Sequence, residues 1–300
     1  QAKGRLDFVE DFAIHVPLIV ICELMGLDPE TRLKMYRWSD QMMAGDGHTE
    51  PDDPALMAAG EAFVEYSVVC ADLIADRRRS PKDDLISVLV SKFDDGELGH
   101  EEFRNLAGES LAGDPLGDDE LNLFLTVLLI AGNETTRNAI TGGMLALSRF
   151  PEERQRLIDH LDDDHFVDLA VDELIRWVSP VIGFTRTVTE DHERRGVQLK
   201  AGDEVLMLYQ SANRDAAVFD RADELVLDRD PNPHLAFGIG PHFCLGANLA
   251  RLEVKIVFQE LFRRLPDIHV PEGAERVRGD SGLVIALQNL PARFTPVFAA

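Results

Sequence analysis

"HLAFGIGPHFCLGANLAR", residues 234–251, surrounds one cysteine with glycines, a histidine and aromatic residues. The cysteine, Cys244, stands directly before a segment with helical spacing. Cysteine is scarce here, with three in 300 residues. Small residues on both sides of Cys244 indicate a backbone shaped so that a large group can approach the sulfur.

A cysteine thiolate is a soft metal ligand, and one cysteine can hold a haem iron from one side. A flat ring against the loop needs small residues where backbone meets ring, and Gly238, Gly240 and Gly246 supply them. The helix predicted after Gly246 would stabilise the negative charge on sulfur with the positive end of its dipole. Phe237 would shield the sulfur, and His242 would reach an acidic group at the ring edge.

Two other interpretations of Cys244 stay open at this point. Most free cysteines are small buried hydrophobic residues, and we assign that packing role to Cys22 and Cys70. A nucleophilic thiol activated by His242 would make the protein a hydrolase, although the sequence offers no group that orients this histidine. The frame Phe-x-x-Gly-x-x-x-Cys-x-Gly favours the haem ligand, because four residue types at fixed positions rarely coincide by chance.

The composition describes a globular chain with an acidic surface. Hydrophobic residues make up 45%, and 54 Asp and Glu outweigh 30 Lys and Arg, for a net charge of −24. Such a surface repels nucleic-acid phosphates and anionic lipids, so we expect neither as a partner. Three distant cysteines favour a reducing cytoplasm over a disulfide framework. No apolar run approaches the ~20 residues of a membrane-spanning helix.

Hydrophobic periodicity predicts a mainly α fold with a small β portion near the C-terminus. Helices are expected over 11–25, 29–43, 54–79, 83–90, 120–150, 151–161, 167–178 and 246–265. Short β-branched segments predict strands at 183–191, 196–202 and 204–212, and a final strand pair within 282–298. The Gly- and Asp-rich segment 108–120 predicts a surface loop.

The long predicted helix carries "AGNETT", residues 131–136. Gly132 weakens the helix locally, and the Thr135 hydroxyl can bond to a backbone carbonyl one turn back. Glu134 beside Thr135 pairs an acid with an alcohol, which could pass protons to bound dioxygen. Ala131 and Thr135 are four residues apart and can face one partner. A helix N-cap or a solvated Glu–Thr pair is the alternative interpretation.

Together these motifs resemble those of the cytochrome P450 family. The match to its haem-binding signature comprises Phe237, Gly240, Cys244 and Gly246. It implies a cytochrome P450 fold and a haem b (iron protoporphyrin IX) with Cys244 as the iron ligand. It also implies that Ala131, Phe237, Gly238 and Gly246 lie against the haem. The "AGNETT" segment resembles the oxygen-activating motif, with Glu134 as the acid and Thr135 as the alcohol.

Charged residues extend the resemblance. Glu173 and Arg176, three apart on a predicted helix, can form an ion pair, although such pairs are common on wet surfaces. In the family this pair joins an arginine before the cysteine loop, which implies a structural cluster with Arg229. The resemblance also implies that Arg186, in a predicted strand, and His242 contact the haem propionates.

The implied activity is a monooxygenation that inserts one oxygen atom from O2 into a C–H bond of an apolar substrate. Val181, Ile182 and Val284 would contact that substrate. The sequence around these motifs is similar to that of the bacterial group that hydroxylates sterol side chains and branched lipids, although a terpenoid or fatty acid fits the same residues. A ferredoxin would supply electrons to a monomeric, cytoplasmic enzyme, docking at a basic patch of Arg251, Arg263 and Arg264.

The resemblance covers nearly the whole chain and implies one domain over residues 1–300. It also implies that the family's first helices, with part of the substrate lid, are missing before residue 1. A catalytically silent haem- or lipid-binding fragment is therefore the alternative function.

Overall fold

A computed structural model describes residues 4–97, 117–279 and 281–296 of the chain. The chain divides into two compact units. The larger unit comprises Gln1–Ile14 and Thr135–Ala300, and the smaller unit comprises His15–Glu134. The expectation of a single domain over 1–300 stays a prediction.

Helices build the smaller unit. They are α1 His15–Leu24, α2 Pro29–Ala44, α3 Pro54–Arg79 and α4 Leu85–Asp94. The Asp28 and Asp53 side chains cap α2 and α3 by accepting from backbone N–H groups, and a proline follows each cap. These boundaries confirm the predicted helices. The prediction over 11–25 is confirmed only in part, because Val9–Ala13 is a π-helical turn ahead of α1.

The core of the smaller unit contains the two other cysteines. Cys22 and Cys70 are fully buried, as expected for packing residues. Burial raises the pKa of each thiol to about 11, so both stay protonated and unreactive. Beside them the Tyr66 hydroxyl donates to the Leu125 carbonyl at 3.1 Å, which satisfies the one polar atom of a large buried ring.

The longest helix, α5, spans Asp118–Arg149 and confirms the prediction over 120–150. Residues 108–116 of the predicted surface loop lie outside the described residues, whereas Asp118 to Glu120 form the first turn of α5 rather than loop. In the larger unit α5 passes close to its neighbours. A Cβ atom on Gly142 would lie 2.6 Å from Val178, and one on Gly143 would lie 2.8 Å from Phe258.

The remaining helices lie in the larger unit. They are α6 Pro151–Asp159, α7 Asp164–Val178, α8 Tyr209–Ala212 and α9 Ala247–Arg264. The start of α7 precedes the predicted one by three residues, because the Asp163 carboxylate caps it by accepting from His165 and Phe166 N–H groups at 3.1 Å. Within the described ranges, no helix is both long and apolar enough to span a membrane.

Within residues 4–97, 117–279 and 281–296, the β portion consists of three antiparallel two-stranded sheets. The strands are β1 Arg5–Asp7, β2 Gly183–Thr187, β3 His192–Arg194, β4 Val197–Leu199, β5 Glu204–Leu208 and β6 Pro291–Arg293. The pairs are β1 with β6, β2 with β5 and β3 with β4. The predicted mainly α fold with a small β portion is confirmed.

Two predictions about strands are wrong in detail. Over its described residues, 282–296, the tail forms no strand pair of its own, because β6 takes its backbone partners from β1 at the other end of the chain. The segment 204–212 is a strand only to Leu208. It then becomes the short α8, since Asn213 N–H donates back to the Tyr209 carbonyl at 2.9 Å.

Candidate haem-binding site

The loop before α9 places Cys244 by turns that need glycine. Gly238 and Gly240 have φ values of +70° and +73°, a region that side chains with a Cβ rarely adopt. The Phe243 N–H donates to the Gly240 carbonyl at 3.0 Å, and the Cys244 N–H donates to the Phe237 carbonyl at 2.9 Å. These two bonds fix the backbone on both sides of the turn and direct the thiol outward.

The loop presents Cys244 on an apolar surface. All residues from 239 to 246 are exposed, the cysteine among them. Ile239 and Leu245 are 75% and 81% exposed, and Phe243 is half exposed. A run of large apolar side chains around an accessible thiol is unusual for a folded surface and indicates a ligand that covers it.

The residues present fit a haem. A Cβ atom added to Gly240 or Gly246 would meet nothing within 4 Å, so the backbone leaves room for a flat ring. The sulfur is a suitable iron ligand, and α9 begins three residues later at Ala247, with the positive end of its dipole near the thiol. Among the described residues, no group of three or more metal-ligating side chains offers a competing metal site.

The structure gives the hydrolase interpretation no support. His242 lies in a 3₁₀ turn, Gly240–His242, and is exposed. In the described part of the chain neither ring nitrogen of His242 is hydrogen-bonded to the Cys244 sulfur, so this histidine is not placed to act as a base for the thiol.

A buried charge cluster braces the segment that leads into the cysteine loop. Glu173 and Arg176 are fully buried and form a bidentate pair, with N–O distances of 2.7 and 2.8 Å. Arg229 Nε donates to the same carboxylate at 2.9 Å. The Val226 N–H and Asn232 Nδ2 also donate to it, at 2.9 and 3.4 Å. The contacts predicted for the Glu173, Arg176 and Arg229 cluster are therefore present.

A second charged group, which the sequence analysis missed, ties α7 to the loop itself. Asp172 accepts from Arg251 Nε at 2.7 Å and lies 3.5 Å from His234 Nε2. Burial alone would raise the pKa of Asp172, but the hydrogen bonds from His234 and Arg251 outweigh it and lower that pKa. The Arg251 guanidinium also stacks 4.6 Å above the Phe237 ring.

Asn213 makes a third connection that sequence reasoning overlooked. Its Oδ1 accepts from the Leu235 N–H at 2.7 Å, and its Nδ2 donates to the Ser179 hydroxyl at 2.7 Å. Its backbone carbonyl accepts from Arg176 at 2.6 Å. One fully buried amide thus joins the end of α7 to the start of the loop. The segment "SANRD", residues 211–215, which contains Asn213, was the available signal, because it resembles the soluble bacterial members of the family.

Arg186 lies in β2, paired with Val205 of β5. Its side chain is exposed and donates to the Thr185 carbonyl at 2.9 Å. Phe184, two residues earlier on the same strand face, packs edge-on against Tyr209 with centroids 6.1 Å apart. The Tyr209 hydroxyl lies 3.6 Å from where a Gly238 Cβ would be. This chain of contacts connects the Arg186 face of the sheet to the cysteine loop.

The predicted acid and alcohol on α5 face different directions. Glu134 is buried, whereas Thr135 is half-buried and Ala131 is exposed. The Ser39 hydroxyl of α2 donates to Glu134 Oε1 at 3.3 Å. Ala131 and Thr135 share one helix face, as predicted from their spacing. Although Gly132 is expected to weaken the helix locally, α5 is continuous through it.

The two predicted substrate-contacting segments meet in the structure. Val181 and Val284 form an antiparallel bridge, and the Ile182 N–H donates to the Leu283 carbonyl at 2.9 Å. Val181 and Ile182 are half-buried, but the Val284 side chain is buried. Contact of these residues with substrate stays a prediction.

The predicted basic patch is largely neutralised. Arg251 is bonded to Asp172. Arg263 pairs with Asp162 at 2.6 Å and with Glu260, which also pairs with Arg264 at 2.7 Å. Because each guanidinium has a carboxylate partner, these three residues present little net positive charge.

Comparison with known proteins finds a family model and several relatives that match this chain. The family model described as Cytochrome P450 matches residues 77–295. The chain is 35% identical over 295 residues to a steroid C26-monooxygenase of Mycolicibacterium smegmatis, covering 98% of this chain and 68% of that protein. It is 39% identical over 293 residues to a methyl-branched lipid omega-hydroxylase of Mycobacterium bovis, covering 97% of this chain and 63% of that protein.

Solved structures agree with these sequence relatives. The bacillaene polyketide synthase cytochrome P450 PksS of Bacillus subtilis superposes with a TM-score of 0.82 at 34% identity, covering 98% of this chain and 69% of that one. CYP109E1 of Bacillus megaterium, in complex with corticosterone, gives a TM-score of 0.80 at 32% identity, covering 97% and 73%.

Proposed function

The chain belongs to the cytochrome P450 family, and on that premise we propose that it is a haem-thiolate monooxygenase acting on a sterol side chain or a methyl-branched lipid. The observation that carries this proposal is the exposed Cys244 thiol on an apolar loop braced by buried ion pairs. Bound there, a thiolate-ligated haem supplies activation of dioxygen and transfer of one oxygen atom into a C–H bond.

Residues of the larger unit would hold haem b. Cys244 would bind the iron, and Phe237, Gly238 and Gly246 would lie against the ring. Arg186 and His242 are both exposed and would pair with the propionates. The resemblance to the family also implies that Ala131 on α5 would lie against the haem. The buried Glu173 cluster and the half-buried Asp172 group keep the loop in position and so lower the entropy that binding the haem must overcome.

Proton delivery is proposed for Glu134 and Thr135. A carboxyl group and a hydroxyl group at neighbouring positions can hold and pass a proton within hydrogen-bond reach. Thr135 shares its helix face with the exposed Ala131, so its hydroxyl is the nearer of the two to a ligand on that face.

The names of the relatives support the substrate class, since one is a steroid monooxygenase and another a lipid hydroxylase. Val181, Ile182 and Val284 are the proposed contacts. Phe184, on the sheet beside them, is 46% exposed and adds apolar surface. A ferredoxin-type electron donor, a cytoplasmic location and a monomeric state complete the proposal.

Reconstitution tests the proposal. The full chain is loaded with haem, reduced and exposed to carbon monoxide. A strongly red-shifted Soret band is expected, and Cys244→Ala should abolish it while Cys70→Ala, which removes a buried thiol, should not. Failure of the parent chain to give this band refutes the proposal. Incubation with a ferredoxin system and a sterol ketone then separates an enzyme, which forms hydroxylated product, from a haem-binding chain without turnover.

A further inference from the structure

A line of polar contacts leads from α7 to the backbone of Cys244. The Asp172 carboxylate lies 3.5 Å from His234 Nε2, and the Ala236 N–H donates to His234 Nδ1 at 3.3 Å. The carbonyl of the next residue, Phe237, accepts from the Cys244 N–H at 2.9 Å. All five residues belong to the larger unit.

These contacts fix which ring nitrogen of His234 carries the hydrogen. A backbone N–H can only donate, so the Ala236 N–H requires the lone pair of Nδ1. In a neutral imidazole the hydrogen is then on Nε2, where it points toward the Asp172 carboxylate. The His234 side chain is only 4% exposed, so water competes little for either nitrogen.

The same carboxylate also holds the Phe237 ring through two neighbours. Arg251 Nε donates to Asp172 Oδ1 at 2.7 Å, and the Arg251 guanidinium stacks 4.6 Å above the Phe237 ring. The His234 ring lies against the same ring, with a centroid distance of 5.8 Å. Both groups that contact the Phe237 ring are therefore anchored on Asp172.

The carbonyl that accepts from Cys244 belongs to a tight turn. Ala236 and Phe237 are its central residues, and the Gly238 N–H closes it by donating to the Leu235 carbonyl at 2.9 Å. This bond fixes the shape of the turn and leaves its placement to side chains outside it. The Asn213 amide supplies one anchor, at Leu235. The imidazole supplies the second, on the residue directly before Phe237.

We propose that His234 is a positioning residue for Cys244, held by Asp172 in the tautomer that lets Nδ1 accept from the backbone. Through the turn it sets the direction of the Phe237 carbonyl and hence the backbone that presents the thiol. The role deepens the proposed haem-thiolate function and rests on it, because a metal ligand depends on the outer groups that orient it.

NMR of the full chain without haem tests the tautomer on the unaltered protein. In mildly alkaline buffer, a long-range ¹H–¹⁵N correlation spectrum distinguishes a protonated ring nitrogen from one with a lone pair. The spectrum of His234→Asn identifies which signals belong to His234. We expect the hydrogen on Nε2. A hydrogen on Nδ1, or two tautomers in exchange, overturns the proposal.

Hydrogen exchange of the Cys244 amide measures the positioning. His234→Leu fills the site without either nitrogen and should speed this exchange about five- to tenfold, the factor expected for the loss of one hydrogen bond. His234→Asn should restore most of the protection, because an asparagine oxygen can accept from the N–H two residues later. Unchanged exchange in His234→Leu, or equal exchange in the two variants, overturns the proposal.

Two aspartates of α7 provide a matched pair. Asp172→Asn should speed the same exchange by a smaller factor, because a neutral amide holds His234 less firmly than a carboxylate does. Asp168→Asn is the control, since Asp168 lies one turn earlier and pairs with Lys255 of α9 at 2.8 Å rather than with the loop. An equal effect of Asp168→Asn would mean that any lost charge between these helices loosens the loop, and it would overturn the proposal.

The haem-loaded chain gives a separate readout. His234→Leu should lower the share of the carbon monoxide complex that shows the red-shifted thiolate band, and His234→Asn should recover it. A full-strength band in His234→Leu contradicts the positioning role. If the parent chain itself lacks the band, the proposed function fails, whereas the tautomer and the amide exchange still decide the role of His234.

Discussion

Glu253 offers a test of how burial controls a charge in this fold. It lies on α9, its side chain is 7% exposed, and its Oε2 atom has no hydrogen-bond partner within the described ranges. Burial raises its pKa from 4.5 to about 7. The folded state therefore binds this proton more tightly than the unfolded state, and stability falls as the pH rises from 4.5 through 7.

The magnitude follows from that difference in pKa. Each pH unit between the two pKa values lowers the free energy of unfolding by about 1.4 kcal/mol. Above pH 7, ionisation of the buried Glu253 therefore lowers it by about 3 kcal/mol in total. Glu253→Gln cannot ionise. We expect the free energy of unfolding of the variant, relative to the parent, to rise by about 2 kcal/mol between pH 5 and pH 8.

Urea unfolding at pH 5, 6 and 8 measures the effect. Glu260→Gln is the control on the same helix, because hydrogen bonds from Arg264 and Arg263 lower the pKa of the exposed Glu260, and its effect should stay constant over this range. A stability difference between Glu253→Gln and the parent that is the same at all three pH values would refute the reasoning.

Three further changes have defined outcomes. Glu173→Gln leaves two buried arginines without their carboxylate partner and should lower the free energy of unfolding by about 3–5 kcal/mol in urea titrations. The control Glu152→Gln, at an exposed position, should lower it by less than about 0.5 kcal/mol. Gly143→Ala should destabilise by about 1–3 kcal/mol, because its Cβ would press on the buried Phe258 ring; thermal unfolding checks this. Arg186→Leu should speed haem transfer to apomyoglobin several-fold with little change in the melting temperature, and an unchanged transfer rate would exclude the propionate contact.

Local chemistry explains why most helices could be predicted. Asp28 and Asp53 each stand before a proline at a helix start, and those caps act over two or three residues. The Cys244 loop is equally local, since glycines at fixed spacing allow the turns that expose the thiol. Such signals are contained in a few neighbouring residues and need no knowledge of the rest of the chain.

The incorrect predictions concern segments whose partners are distant in the sequence. The strand pair expected within 282–298 failed because the backbone of β6 meets β1, nearly the whole chain away. Short strands carry little register information of their own, so contacts elsewhere in the fold choose the partner.

The residues of the candidate site divide in the same way. The sequence alone indicated Cys244 as the proposed haem ligand, because its frame of glycines is local, and it indicated the Glu173 cluster through family resemblance. Only the tertiary structure revealed that Asp172 meets His234 across 62 residues and that Ser39 meets Glu134 across 95. A serine or aspartate has no distinctive pattern of its own, and burial beside a partner gives it a role.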